Sequence, residues 1–135
     1  MKIKAIWISL ILCTLFTSCE LDTDINTLEG SWLCTETSEI FKSGLKGTSI
    51  YPVYIARDTA DENVYYFDNF YQLGDAVLVK AMVSGRSITI EKQTVDGIEF
   101  VGSGTVNASY DEINLSYTAD DGGGEIDHVQ ASYSR

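Results

Sequence analysis

From Asp120 to His128 the chain reads Asp-Asp-Gly-Gly-Gly-Glu-Ile-Asp-His, four carboxylates and an imidazole in nine residues. Oxygen-rich loops bind calcium when flexible glycines let several carboxylates converge on one ion. The spacing fits no EF-hand, which needs acids at alternating positions and a glutamate at the twelfth, so a solvated hairpin loop is expected here. His128 is the single histidine and lacks a second histidine at zinc-ligand spacing. Cys34 as a nucleophile would need a nearby base, and with one histidine in the chain a buried, inert thiol in a strand is the expectation. Gly102-Ser103-Gly104 lacks the strand-to-helix setting of a nucleophile elbow. In so acidic a chain, neighbouring carboxylates do not by themselves mark an acid/base pair. The expectation is a protein that is not an enzyme and carries neither metal nor cofactor.

Binding is better represented than catalysis. Tyr51, Tyr54, Tyr65, Tyr66, Phe67, Phe70 and Tyr71 crowd into 21 positions. Tyrosine joins an apolar body to a polar tip, which suits the rim of a site for an amphipathic ligand, although ordinary core and strand-pair packing uses the same rings. Tyr65 and Tyr66 are consecutive, so in a strand they must point to opposite faces. From Ile98 to Val106 the parity puts Phe100, Gly102 and Gly104 on one side. If that side is internal, the glycines leave room for a ligand beside Phe100, or simply let the strand coil. Trp32, Tyr65, Tyr66, Phe100, Gly102, Gly104 and Tyr117 are the candidate ligand-binding residues.

Strands must position these groups, since hardly any helical period occurs. Apolar or β-branched runs between Gly, Asp, Asn and Ser clusters predict eight strands: 32–40, 53–57 entered through Pro52, 63–68, 76–83, 86–94, 98–106, 113–118 and 125–133. Ser84-Gly85 and Asp96-Gly97 are two-residue hairpin signals, which makes the second half antiparallel between sequence neighbours. Residues 69–74 are read as a helical turn. Alternation such as Ile113, Leu115 and Tyr117 against Asn114 and Ser116 gives one buried and one wet face. An eight-stranded meander leaves two open edges unless it closes, so a small all-β, antiparallel up-and-down barrel is predicted, with a two-sheet β-sandwich as the alternative.

Residues 1–18 carry Lys2 and Lys4 and then an apolar run from Ala5 to Phe16, too short to stay in a bilayer and suited to a secretory leader. Phe16-Thr17-Ser18-Cys19 resembles a bacterial lipobox, with Phe16 where leucine is usual. That resemblance implies that Cys19 is acylated and anchors the protein to the cell envelope, with the outer membrane and its surface as the expected place. Residues 19–29 then form an acidic tether and 30–135 the folded domain. Removing the leader leaves 7 basic and 20 acidic residues. So negative a chain repels phosphate backbones, which excludes nucleic acid as a partner.

Gly30-Ser31-Trp32 at the opening strand, with a basic residue late in the chain at Arg135, resembles the lipocalin and wider calycin pattern. The resemblance implies a tryptophan that closes the base of the barrel and an arginine packed across its indole. Asn63 to Phe70, Leu73-Gly74, Ser87 to Ile90, Gln93 and Gly102 to Thr105 are similar to the strand rhythm of small lipocalin-like, lipid-binding lipoproteins of Bacteroidota. A small apolar or amphipathic ligand inside the barrel is what this likeness implies. The alternative is a filled barrel acting as a non-catalytic scaffold subunit of a cell-surface glycan-uptake assembly, with a protein partner.

Overall fold

In the computed structural model, which describes residues 27–40 and 47–135, side chains alternate between buried and exposed along nearly every strand. The leader, Cys19 and most of the tether lie outside the described residues. Eight strands follow in chain order: β1 (Gly30–Ser38), β2 (Gly47–Arg57), β3 (Val64–Asp68), β4 (Leu78–Ser84), β5 (Ser87–Val95), β6 (Ile98–Val106), β7 (Glu112–Asp120) and β8 (Ile126–Ser134). Each pairs antiparallel with the next, and β8 returns to β1 with Leu33 opposite Ser134 and Ser38 opposite Val129. The sheet is therefore a closed up-and-down barrel rather than a sandwich, with all eight strands joined in one ring.

The turns follow local chemistry. Asp96 and Gly97 both have positive φ, 51° and 77°, and form the two-residue β5–β6 link where the sequence placed it. The β4–β5 link is Gly85-Arg86, one residue later than Ser84-Gly85, because Ser84 pairs with Ser87 and closes the ladder. β2 begins six residues before the predicted Val53, so Pro52 lies inside it. The Pro52 carbonyl accepts a hydrogen bond from Asn69 Nδ2 at 2.8 Å. A residue's nitrogen and carbonyl share a side of a strand, so the missing N–H faces the place where β3 has already ended.

Inside the barrel, Phe67, Phe70, Phe100 and Tyr133 are fully buried, among Val53, Ile55, Val79, Ile88, Ile90 and Ile113. The rings meet edge to face: Phe67 with Phe70 at 6.0 Å, Phe67 with Tyr133 at 5.7 Å and Phe70 with Phe100 at 5.3 Å. A one-residue bulge at Glu91-Lys92, where Ile90 pairs with Gly102 but Gln93 with Phe100, bends β5 around this core.

Gly102 and Gly104 stand opposite Tyr117 and Leu115. A Cβ on Gly104 would collide with the Asn114 carbonyl and, at 2.5 Å, with Leu115 Cδ2; one on Gly102 would strike the Tyr117 Cβ and, at 2.5 Å, the Ser116 carbonyl. Glycine here admits the neighbouring strand, and the space beside Phe100 is filled by Tyr117, whose ring lies 6.1 Å away. Gly104→Ala is accordingly expected to cost about 2–3 kcal/mol of stability in urea unfolding, at the upper part of the overpacking range. A loss under about 0.5 kcal/mol would mean that β6 and β7 do not approach this closely.

Candidate functional site

The two ends of the barrel are built differently. At the lower end Trp32 is 2% exposed and donates its indole N–H to the Leu28 carbonyl at 2.8 Å. The Arg135 guanidinium lies 4.2 Å from the centre of the indole ring. It donates to the carbonyls of Thr27 at 2.7 Å, Glu29 at 2.9 Å and Tyr110 at 2.9 Å. Trp32 thus closes the base with Arg135 across its face, as the lipocalin-type reading of Gly30-Ser31-Trp32 implies. Residues 27–29, read from sequence as the end of the tether, belong to this seal, and Leu28 is buried beneath it.

The upper part of the barrel interior, the upper chamber, is packed around buried polar groups. Glu36 is buried, and its Oε2 accepts hydrogen bonds from Tyr51, at 2.5 Å, and from Tyr117. The Cys34 thiol lies in the same cluster, where burial pushes it up to about 12. It is free and fully enclosed, as the sequence predicts, a setting that disfavours thiolate chemistry. Tyr133 is fully buried and its hydroxyl has no hydrogen-bond partner; the Cys34 sulfur beside it is a weak acceptor. Burial first, and then the neighbouring acidic groups, hold the Tyr51, Tyr117 and Tyr133 hydroxyls well above the usual tyrosine range.

At the rim above, Asp127 is also buried and accepts four hydrogen bonds: from Ser38 Oγ at 2.5 Å, Tyr71 OH at 2.6 Å, and the amides of Glu39 at 2.9 Å and Ile40 at 3.1 Å. Burial disfavours its charge, but these donors outweigh that effect and keep its carboxyl below the ordinary range, so it is ionised at neutral pH.

The β3–β4 connection packs over this upper part of the core. A single 3-10 turn, Phe70–Gln72, drives Phe70 into the barrel, 4.6 Å from the Tyr117 ring, and lays Tyr71 beneath the rim. Its backbone is strained: Asn69, Tyr71, Gln72 and Ala76, none of them glycine, all have φ between 55° and 68°. Such conformations persist only where the surroundings impose them, and they cluster at ligand clamps and moving segments. The wall beside the lid is also weak. β4 pairs with β5 only from Met82 to Ser84. Above that, the Gln93 side-chain amide takes the place of the ladder, accepting from the Lys80 N–H at 2.9 Å and donating to the Lys80 carbonyl at 2.7 Å.

Of the candidate residues, Phe100 and Tyr117 line the chamber, Gly102 and Gly104 shape its wall, and Trp32 seals the opposite end. Tyr65 is buried at the lower end beneath Arg57, whose guanidinium lies 5.9 Å from the ring centre. Tyr66 faces outward and donates to Asp58 at 3.1 Å, so neither tyrosine reaches the upper chamber. The Asp120–His128 acids do not converge, because Asp127 turns into the barrel while Asp121, Glu125 and His128 stay exposed. Glu36 and Asp127 are the residues that sequence reasoning missed. Both were marked by parity: Glu36 shares the face of Trp32 and Cys34, and Asp127 that of Val129, Ala131 and Tyr133.

On the outer wall, a hollow of about 400 Å³ crosses β6, β7, β8 and β1 and is lined mainly by Ser, Thr, Asn and Gln side chains, including Thr35, Asn114 and Gln130. Sequence comparison adds no constraint: no family model matches the chain, and no curated protein matches it significantly.

Proposed function

We propose that this chain is an envelope-anchored, lipocalin-like lipoprotein that takes one small amphipathic ligand into the upper half of its barrel, binding it without chemistry. The asymmetry of the two ends carries this reading. The lower end is locked by Trp32 and three Arg135 hydrogen bonds, whereas a strained turn beside a half-unzipped wall closes the upper end. Withdrawal of Phe70 would open a chamber that offers a ligand both apolar rings and polar tips, the composition of a small-molecule site. A buried carboxylate is a poor choice for stability alone, since well-packed apolar residues often do as well, which also favours function for Glu36.

The test is native mass spectrometry of the protein carrying Cys19→Ala, purified without detergent from the bacterium that makes it. A small molecule bound one to one supports the reading, and repeated recovery of empty protein overturns it. The same substitution is expected to release the protein from membranes into the soluble fraction; unchanged retention would remove the anchor from the proposal. The second reading, a filled barrel serving as a scaffold subunit of a cell-surface glycan-uptake assembly, is favoured by the ring-to-ring packing of the interior and the uncharged outer hollow. Empty protein that copurifies with an envelope protein would select it.

A further inference from the structure

We propose that the outer wall centred on β1 pairs with the same wall of a second copy of this chain, as a two-fold dimer. This goes beyond the ligand-binding reading and does not depend on it. The chain carries 20 acidic against 9 basic residues. Yet the outward positions within 101–105 of β6, 114–118 of β7, 128–134 of β8, 31–37 of β1 and 48–56 of β2 hold no aspartate, glutamate, lysine or arginine. These strands are neighbours around the ring, so the uncharged positions form one face. Glu99, Glu112 and Asp120 mark its margins, whereas the outward sides of β3, β4 and β5 carry Asp68, Lys80, Glu91 and Lys92.

Exposed apolar side chains gather on the same wall. Of the six exposed large hydrophobics among the described residues, five lie on these strands, and Leu78 on β4 is the exception. Leu33 stands directly opposite Pro52, and Ile50 and Tyr54 flank Pro52 on the same side of β2, which makes an apolar ridge. Ile50 is 65% exposed and stands opposite Thr35, where the hollow of about 400 Å³ begins. Leu115 and Ala131 contribute to the lining of that hollow beside Thr35 and Thr37. A ridge next to a hollow is self-complementary, because about a two-fold axis each copy seats its ridge in the hollow of the other. Charge also selects a second copy as the occupant. A basic partner would be steered by carboxylates, which this face lacks, whereas two equally acidic chains meet at least cost where neither presents one. Covering the face strands few polar groups, since Gln130 donates to Ser116 and the Thr37 and Thr48 hydroxyls share a hydrogen bond at 3.4 Å. At ordinary strand dimensions the face measures about 20 Å each way. Its outward positions approach the roughly 20 residues per side of a specific interface.

The experiment is sedimentation equilibrium of the protein carrying Cys19→Ala, purified without detergent, at concentrations from about 1 to about 200 μM. A mass of two chains is expected at the upper end. Ile50→Glu, which puts a carboxylate on the ridge of each copy, is expected to weaken association by about 100-fold or more. Leu78→Glu, the same kind of substitution on the opposite wall, leaves association unchanged and is the control for added charge. Gln130→Glu, nearly isosteric and on the wall of the hollow, is expected to weaken it by about tenfold, and it serves as the test if Ile50→Glu does not fold. Urea midpoints of each variant show whether the barrel is intact. A mass of one chain at every concentration would overturn the proposal and leave the face to a different partner. A dimer that Ile50→Glu and Gln130→Glu leave intact, or that Leu78→Glu disrupts equally, would put the contact elsewhere and overturn it as well. The paired walls leave both ends of each barrel uncovered, so this outcome and that of the ligand test are read separately.

Discussion

Raising the pH to about 11 is expected to remove on the order of 5 kcal/mol of folding stability, a large share of what a domain of this size commonly has. The loss comes from the chamber. Tyr51, Tyr117 and Tyr133 are held above the ordinary tyrosine range by burial and by the acidic groups around them, and Cys34 is pushed up to about 12. For a raised acid, the stability is complete below the unfolded value and is lost as pH climbs towards the folded one. Unfolded cysteine ionises near about 8.5 and unfolded tyrosine near about 10, so the window opens at about pH 8.5 and steepens above about 10. At about pH 11 each of these groups contributes a loss on the order of 1 kcal/mol or more, Cys34 the most because its unfolded value is the lowest. Urea midpoints measured across this range, with tyrosinate absorbance recorded alongside, provide the check. Tyrosinate that formed gradually in a still-folded protein, with an unchanged midpoint, would show that these hydroxyls reach solvent and that the chamber is open.

Replacing Trp32 with alanine is expected to cost about 3–5 kcal/mol, the usual range for emptying a buried aromatic site. The indole is 2% exposed and bonded to Leu28, and it forms the surface on which the Arg135 guanidinium lies. Its removal also takes the stacking partner from an arginine that ties Thr27, Glu29 and Tyr110 together. Trp32→Phe, which keeps most of the volume but leaves the Leu28 carbonyl without its donor, should lose about 1–3 kcal/mol. An alanine effect below about 1 kcal/mol would mean that the base is not sealed by this ring.

The barrel was legible in the sequence because its strands obey simple parity. Ile98 to Val106 and the Asp96-Gly97 turn fall where alternation and turn chemistry put them. β2 starts earlier than its sequence suggests because a proline favours a strand entrance, and only the three-dimensional ending of β3 makes Pro52 acceptable within it. The Trp32–Arg135 contact followed from a family resemblance rather than from spacing, which by itself does not bring residues 103 positions apart together. The chamber was half visible: Phe100 and Tyr117 were named, while Glu36 and Asp127 were passed over because charged residues are almost always at the surface. A burial pattern alone cannot say that two tyrosines, one on the neighbouring β2 and one on β7, will converge on a carboxylate.

The closure of β8 onto β1 also constrains when the protein can fold. β1 meets its second neighbour only after the residues that pair Leu33 with Ser134 have been synthesised, about a hundred positions later. Until then the nascent chain is an open ribbon with an unpaired margin at each side, and the lower seal cannot form before Arg135 emerges. Late closure of this sort delays tertiary structure until β8 has been made. A polypeptide that must pass unfolded through a narrow translocation pore would benefit from that delay.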